Sequence, residues 1–360
     1  MSKIIPAALA ARPEDYKRLG LTPGAPALWE DGLRTDGAAG SFEWWYFDSK
    51  LDDGSSLVII FFTGPMSSKK KDGFEPHCSI ELTRPDGTEY KRFFHVKAEE
   101  AVFNKEKCDV QMGPCYFRGD LHRYEIHFQN DEMEATVTLT GNAPAWRPET
   151  GHIYFGEKDF FAWLPSVPEG TVEVNLRMNG KLERHTGTGY HDHNWGNAPM
   201  MNLMHHWYWG RAKIGEYQVI SSYIYGANKY GYAEFPIFML AKDGRVLADD
   251  AEKYLKYSEE EPYQEERTGK TTHNALVYDY NDGSQHYRVT YHRESDLACG
   301  NMAASMPWWK RTAARVLMKL DPSYHRMAGT ATLERFDGDK VMETVSAPAI
   351  WEQMYFGLNL

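Results

Sequence analysis

The chain has 360 residues and a formal net charge of −11, with 42% hydrophobic and 14% aromatic residues. This is the composition of a globular protein with material for about two domains, and its acidity argues against nucleic acid as a partner. The sequence contains no apolar run of membrane-spanning length and no convincing signal peptide, and its four scattered cysteines form no CxxC pair. We therefore expect a cytoplasmic protein.

The first half of the chain has the pattern of short strands separated by turns. Residues 12–40 are rich in proline, glycine and charge, which predicts an arm lying over a domain, with a short helix at Pro13–Leu19. FEWWYFD (42–48) and LVIIFFT (57–63) predict a hairpin around the turn at 52–55. Further strands are predicted at 78–83, 89–96, 115–118, 124–129, 136–140, 158–164, 172–178 and 182–187, with a turn at 167–170.

The second half continues the β pattern, with one exception. Strands are predicted at 216–226, 236–241, 275–280, 286–292, 329–336 and 351–356. Apolar residues at helical spacing, interleaved with basic ones, predict a short helix at 308–320. It is either an ordinary surface helix, or a lid or basic face in peripheral contact with a membrane. We predict an all-β protein of two β domains, joined near residue 200, with this helical insertion.

The strand FEWWYFD places Glu43 on the same face as Trp45 and Phe47. A carboxyl group in apolar surroundings has a raised pKa, which suits a proton donor. The alternative is an edge-strand glutamate in water or paired with an arginine.

The segment from Gly187 to Arg211 combines histidines, tryptophans and an acid, and it is the predicted centre of the chemistry. If GYHDHNWG is extended, its side chains fall on two faces, one with His191, His193 and Trp195, the other with Tyr190, Asp192 and Asn194. Asp192 or a histidine could act as a general acid or base. Alternatively, His191 and His193 bind a metal with His205 or His206, or Asp192 and Asn194 only satisfy backbone groups in a turn.

HHWYWGR, a few residues further on, alternates in the same way. His205, Trp207, Trp209 and Arg211 fall on one face, and His206 and Tyr208 fall on the other. Two tryptophans on one face would give a flat apolar wall for a polyene, a terpenoid or a fused ring, and could stabilise a developing cation. The alternative is that they fill a barrel core.

EWWYFD, GYHDHNWG and WYWGRA, in this order, resemble the AttH-like proteins and hydroxyneurosporene synthases (carotenoid 1,2-hydratases). Fungal lipocalin-like Diels–Alderases and kievitone-hydratase-like enzymes are relatives. The resemblance implies a β-sandwich or calycin-like domain at 1–198, a lipocalin-like barrel at 199–360, and a ligand pocket at their junction. It implies no cofactor and no metal. The tyrosine–aspartate pair of the hydratases would fall near Tyr223, where SSYIYG has no acid, which leaves Asp192, Glu43 or Glu234.

We predict a cofactor-independent enzyme that hydrates, dehydrates, isomerises or cyclises a C=C system in a hydrophobic isoprenoid- or polyketide-like molecule. The predicted catalytic residues are Asp192, His193, Glu43 and His206. The predicted substrate-binding residues are Trp45, His191, Trp195, Trp207, Tyr208, Trp209 and Tyr223. The alternatives are a lipocalin-like carrier of an apolar ligand and a metal-dependent enzyme.

Overall fold

The computed structural model describes residues 3–65, 73–304 and 320–358, and between 305 and 319 only 307, 309, 312, 315 and 316. The described chain consists mainly of antiparallel strands in two sheets, which confirms the predicted all-β class. No helix within these ranges is long and apolar enough to cross a lipid bilayer.

The chain divides into two compact units. The N-terminal unit contains residues 9–154 and 158–200, and the C-terminal unit contains residues 1–8, 155–157 and 201–360.

A 13-stranded sheet dominates the N-terminal unit. Its strands are β1 (Ala7–Leu9), β2 (Phe42–Leu51), β3 (Ser56–Phe62), β4 (His77–Thr83), β5 (Glu89–His95), β6 (Ala101–Phe103), β7 (Asp109–Met112), β8 (Cys115–Gly119), β9 (Arg123–Gln129), β10 (Met133–Gly141), β11 (His152–Phe155), β12 (Asp159–Met178) and β13 (Lys181–Gly196). The main path runs β5-β4-β3-β2-β13-β12-β10-β9-β8-β7-β6, and β1 pairs with β11 beside β12. Helix α1 (Pro13–Leu19) and the 3₁₀ helices Leu28–Asp31 and Ala98–Glu100 complete the unit.

The helix predicted at Pro13–Leu19 and the hairpin of β2 and β3 are confirmed. Helix α1 starts with Pro13, whose missing N–H costs nothing there, and ends at Gly20, which has a left-handed φ of 69°. On β3, buried and half-buried residues alternate strictly. The buried ring of Phe61 meets that of Phe117 on the distant strand β8, with centroids 5.8 Å apart. The sheet therefore curls so that its inner face packs against itself.

The turn predicted at 167–170 is wrong. This segment continues the 20-residue strand β12, and the register against β13 shifts on either side of Val167. Bulges of this kind admit prolines and bend a strand without ending it, so the two predicted strands form one bent strand.

The C-terminal unit contains a nine-stranded sheet. Its strands are β14 (Met204–Ile214), β15 (Tyr217–Gly226), β16 (Glu234–Lys242), β17 (Arg245–Ala248), β18 (Leu255–Gln264), β19 (Thr271–Asn281), β20 (His286–Asn301), β21 (Leu320–Asp337) and β22 (Lys340–Gly357). Consecutive strands pair except for β17 and β18, which are the two edges of the sheet. The first and last strands, β14 and β22, also pair with each other. Helices α2 (Met200–Leu203) and α3 (Ala251–Tyr254) and the 3₁₀ helix Asn228–Tyr230 connect strands. Its core is rich in aromatic residues, including Tyr208, Tyr278, Tyr291 and Trp351.

The helix predicted at 308–320 lies largely outside the described residues. Of this segment, Trp309, Thr312, Arg315 and Val316 are described as helical and exposed.

Candidate functional site

Strand β13 presents two buried faces. It pairs with β2 so that Asp192 lies opposite Tyr46 and His193 lies opposite Trp45. The side chains alternate as the sequence predicted. The ring of His193 stacks on that of Trp45, 4.6 Å away, while the Asp192 carboxylate meets the indole of Trp163 on the other face. Asp192 and the imidazoles of His191 and His193 therefore lie on opposite sides of one strand, as their alternation predicts.

On the core-facing side, Glu43 has no exposed surface. Its carboxylate accepts hydrogen bonds from the backbone N–H groups of Arg34 and Thr35, both at 2.7 Å, from Thr35 Oγ1 at 2.6 Å and from His193 Nε2 at 2.8 Å. A carboxylate has about four acceptor positions, so all are filled. The alternatives of a glutamate in water or paired with an arginine side chain are both wrong, and the geometry favours a positioning role.

His193 is also fully engaged. Its Nδ1 faces the Glu30 carbonyl oxygen at 3.3 Å, and its Nε2 faces Glu43. Its ring lies 4.6 Å from the rings of both Trp45 and Trp195. An imidazolium would donate to both oxygens. Both ring nitrogens are therefore occupied, and neither can hold the water molecule that a hydration needs. Trp45 and Trp195 keep the imidazole ring in place by packing against it.

Asp31, which the sequence analysis did not single out, lies beside His191. His191 Nε2 is 3.3 Å from Asp31 Oδ2, and the Tyr124 hydroxyl donates to the same oxygen. Burial raises the pKa of Asp31, but His191, His193 and Tyr124 outweigh burial and hold it below the usual value. Asp31, Cys108 and His191 also bring potential metal-ligand atoms within 4.8 Å of one another. No described group of this kind includes His193, His205 or His206.

The other face of β13 carries Asp192, which is 6% exposed. Its Oδ2 accepts hydrogen bonds from Trp163 Nε1 at 2.7 Å and from the Tyr190 hydroxyl at 2.8 Å, and its Oδ1 accepts one from Asn194 Nδ2 at 2.7 Å. Three of about four acceptor positions are filled, which leaves one on Oδ1. Burial raises the pKa of Asp192 to about 6, against the opposing effect of these donors. Asp192 can therefore carry a proton near neutral pH.

Half-buried aromatic residues adjoin Asp192 on the same face. Tyr46, its cross-strand neighbour, donates to Asp48 Oδ2 at 3.1 Å, and Trp44 lies opposite Asn194. Both aromatic rings retain some exposed surface. This face therefore combines two carboxyl groups, those of Asp192 and Asp48, with several aromatic side chains. The prediction that Asp192 only satisfies backbone groups in a turn is wrong, because its partners are side chains within a sheet.

In the C-terminal unit, His206 is held between Tyr225 and Tyr355. The ring centroids lie 4.2 and 4.6 Å from that of the histidine, and the rings are nearly parallel. Its Nδ1 lies 2.8 Å from Nδ1 of His205. Burial, followed by the charges of His205 and His273, holds the pKa of His206 well below the usual value. His206 is therefore a neutral imidazole and a poor proton donor at neutral pH.

Tyr208 is the centre of a buried network that sequence analysis found only in part. Its hydroxyl accepts a hydrogen bond from Gln353 Nε2 at 2.8 Å and lies 3.1 Å from His273 Nδ1. His273 Nδ1 is in turn 2.9 Å from Glu259 Oε2. These partners come from strands 50 to 145 positions away, and no motif in the sequence marks them.

Trp207 and Trp209 lie on the opposite face of β14 from Tyr208. They are half-buried, whereas Tyr208 belongs to the core of the C-terminal unit. Trp207 packs edge-on against Phe356, with centroids 5.4 Å apart. The alternative that these tryptophans fill the barrel core is wrong, because they lie on the face of β14 opposite to Tyr208 and outside that core.

Tyr223 does meet an acid, although SSYIYG contains none. Its hydroxyl donates to Glu234 Oε2 at 2.6 Å, and the hydroxyl of Tyr225 donates to Glu259 Oε1 at 2.8 Å. Glu234 is on β16 and Glu259 on β18, so sheet pairing, not sequence proximity, supplies both carboxylates.

Two cavities open in the N-terminal unit, with volumes of about 380 and 410 Å³. The first lies beside Phe74, His77 and His95, and the second beside Thr140 and Thr186. Neither is lined by a predicted site residue.

A family model described as Diels-Alderase-like matches residues 38–296. The match covers most of the chain, which belongs to this family. The quinolone epoxide rearrangement protein asqO of Emericella nidulans is 26% identical over 196 residues, which are 51% of this chain and 53% of that protein. Hydroxyneurosporene dehydrogenase of Chlorobaculum tepidum is 27% identical over 213 residues, 48% of this chain and 54% of that protein. The chain thus spans about half the length of these curated relatives.

Other curated relatives are named as Diels-Alderases and as an acyclic carotenoid 1,2-hydratase. Among solved structures, a putative AttH from Nitrosomonas europaea has a TM-score of 0.59 at 17% identity, over 94% of this chain and 99% of that chain. These matches confirm the predicted resemblance and the two-sheet β fold.

Proposed function

We propose that this protein is an enzyme that acts, without a cofactor, on a hydrophobic isoprenoid- or polyketide-like molecule, with Asp192 as the proton donor. The reaction is a hydration or dehydration, an isomerisation or a cyclisation of an unsaturated system. The substrate lies on the face of β2 and β13 that carries Asp192, Tyr46 and Trp44.

The observation that carries the proposal is the state of the Asp192 carboxyl. Its pKa of about 6 leaves about a tenth of the molecules protonated at pH 7, and the free position on Oδ1 is where that proton resides. Trp163, Tyr190 and Asn194 fix the carboxyl in one orientation. A preorganised acid with a pKa close to neutral is the arrangement that general acid catalysis requires.

One donated proton can serve each of these reactions. Protonation of a C=C bond at carbon leaves a carbocation, which adds water and then returns a proton, or loses a neighbouring proton to give an isomer. Protonation of an epoxide oxygen opens the C–O bond and starts a rearrangement. In a cycloaddition, a hydrogen bond from the acid to a carbonyl oxygen draws electron density from the conjugated system. Half-buried aromatic faces can stabilise the cationic species.

The names of the relatives support a reaction on an unsaturated, apolar substrate. One is named for the rearrangement of a quinolone epoxide, another for the 1,2-hydration of an acyclic carotenoid, and the family for Diels–Alder chemistry. These names share unsaturated, largely apolar substrates. We extend that substrate class, but no individual substrate, to this chain.

The test is Asp192→Asn, assayed with an acyclic carotenoid and with a quinolone epoxide. We expect tryptophan fluorescence quenching to give nearly unchanged binding, while turnover, followed by chromatography, falls about 10²–10⁴-fold. Asp48→Asn, which removes a neighbouring buried carboxylate from the same face, is the control and retains turnover. Unchanged turnover in Asp192→Asn makes Asp192 structural.

The alternative is a carrier that binds an apolar ligand without changing it. In that case the wild-type protein binds both probes and converts neither, and Asp192→Asn changes nothing. The raised pKa favours the enzyme, because a carrier gains nothing from an acid that titrates near neutral pH.

A further inference from the structure

The core-facing side of β13 contains a second constellation, on the opposite side of the strand from Asp192. Asp31 ends a 3₁₀ helix, Cys108 precedes β7, and His191 is on β13. Their side chains are 1%, 1% and 0% exposed. One potential ligand atom from each lies within 4.8 Å of the other two. A carboxylate, a thiol and an imidazole from three separate segments therefore converge in the core.

The imidazole of His191 is oriented as metal-binding histidines are. Its Nδ1 lies 2.9 Å from the carbonyl oxygen of Tyr46, and since a carbonyl oxygen can only accept, Nδ1 carries a proton. A backbone carbonyl on the outer nitrogen is the usual partner that fixes the tautomer of a metal-ligating histidine. The inner nitrogen, Nε2, points at Asp31.

The spacing between Nε2 and Asp31 fits a bridging cation. Nε2 is 3.3 Å from Asp31 Oδ2, which is long for a hydrogen bond between charged groups. Zinc bonds of about 2.0 Å to nitrogen and oxygen in a tetrahedral site separate the two ligand atoms by about 3.3 Å.

The second oxygen of Asp31 points to the same conclusion. Oδ1 is buried and no hydrogen-bond donor in the described chain reaches it. Nδ1 of His193 lies 3.5 Å from it, and that nitrogen also faces the Glu30 carbonyl oxygen at 3.3 Å. A buried carboxylate oxygen without a partner is costly, and a metal ion bound to the carboxylate would remove that cost.

We propose that Asp31, Cys108 and His191 bind a zinc-type divalent cation that holds the core of the N-terminal unit together. The carboxylate and the thiolate supply two negative charges, which balance the charge of the ion inside the core. Tyr124, whose hydroxyl donates to Asp31, orients that ligand from outside the site. In a tetrahedral site these three ligands occupy three of the four positions.

This site differs from the metal set considered in the sequence analysis, and it departs from the prediction of no metal. His193, His205 and His206 take no part. The cation has a structural role, because its ligands join the 3₁₀ helix of the N-terminal arm, the β7 region and β13. Binding of such an ion is coupled to folding. The inference is independent of the proposed function, since no readout below is turnover.

The experiment uses the untagged chain with its cysteines reduced. The chain is unfolded in denaturant that contains a chelator, and it is then refolded with or without one equivalent of Zn²⁺. After desalting, we expect about one equivalent of zinc per chain by elemental analysis, and a higher thermal midpoint than in the zinc-free sample. Refolding with Co²⁺ should produce a thiolate-to-cobalt charge-transfer band. Cys108→Ser should lose this band, while Cys115→Ser, which changes another buried cysteine of the same unit, should keep it.

Less than a tenth of an equivalent of zinc, with equal thermal midpoints, overturns the proposal. A thiolate-to-cobalt band that survives in Cys108→Ser also overturns it, because another cysteine then binds the ion. Cobalt held by Asp52, Asp53 and His185 would give no such band, since that group contains no thiol. If Cys108→Ser fails to refold, the wild-type spectrum decides, because a cobalt complex without a thiolate band rejects Cys108 as a ligand.

Discussion

Replacing Asp192 with asparagine should change how the stability of the protein depends on pH. Asparagine keeps the shape of the side chain, and its carbonyl oxygen can still accept the hydrogen bonds from Trp163 and Tyr190. Its amide group faces Asn194, whose own amide can turn to present its oxygen. The variant should therefore fold, and the main loss is the titratable carboxyl group.

The magnitude follows from the pKa of Asp192, which burial raises from 3.8 to about 6. Because the folded-state value is the higher one, the stabilisation is fully present below pH 3.8 and is lost as the pH rises through 6. A shift of about two units corresponds to about 3 kcal/mol in all, of which about 2 kcal/mol falls between pH 4.5 and 7. Asparagine removes this dependence.

The assay is urea unfolding of both proteins at several pH values between about 4.5 and 7.5, followed by tryptophan fluorescence. The wild type should lose about 2 kcal/mol relative to Asp192→Asn as the pH rises across this range. Subtracting one protein from the other cancels every group that they share. Asp48→Asn controls for removal of a carboxylate from this face. A difference that is flat with pH, or a wild type that loses stability relative to Asp192→Asn as the pH falls, refutes the raised pKa and with it the proposed proton donor.

Three further outcomes test the framework around the site. Glu43→Gln should cost about 3–5 kcal/mol in urea unfolding, because its amide group replaces one carboxylate oxygen and leaves the donors on that oxygen unmatched, namely a backbone N–H together with either the buried imidazole or the Thr35 hydroxyl. Glu216→Gln, whose side chain is 75% exposed, should stay within about 0.5 kcal/mol. Gly187→Ala should cost about 1–3 kcal/mol or more, because its Cβ would lie 2.1 Å from a main-chain oxygen of β2; Gly300→Ala, with nothing within 4 Å, is the matched control and should be tolerated. Burial lowers the pKa of His152 to about 4, so its contribution is lost as the pH falls from 6.5 through 4. His152→Phe should abolish about 3 kcal/mol of acid sensitivity, and an unchanged acid limb of the stability curve rejects that assignment.

Local patterns in the sequence predicted the strands better than their partners. The alternation of FEWWYFD and GYHDHNWG correctly assigned Glu43 and His193 to one side and Asp192 to the other, because a strand has a fixed period of two. No local pattern in the sequence shows that β2 and β13 are neighbours, since their paired residues lie 136 to 154 positions apart, from Gly187 with Leu51 to Gly196 with Phe42. That pairing is what brings Glu43 to His193.

The partners that the sequence analysis missed come from irregular or distant segments. Asp31 belongs to the proline- and glycine-rich arm, which was expected to lie over a domain. Instead, a 3₁₀ helix inserts Asp31 into the core, where it is 1% exposed. A charged residue in such a segment is usually solvated, so only the tertiary structure could reveal it. Trp163 and Glu259 were missed for a related reason, because each meets its partner through sheet packing rather than through sequence spacing.

Burial alone does not separate a catalytic carboxyl from a structural one in this protein. Glu43 and Asp192 are both buried on neighbouring strands, at 0% and 6% exposure. The number of hydrogen-bond donors does separate them, because four donors fill the acceptor positions of Glu43, while three leave one position open on Asp192. A proton on Glu43 would displace a donor, whereas a proton on Asp192 Oδ1 displaces none. The same strand can therefore be held firmly from its core-facing side by saturated carboxylate–imidazole contacts while its other side keeps an acid whose proton is free to leave.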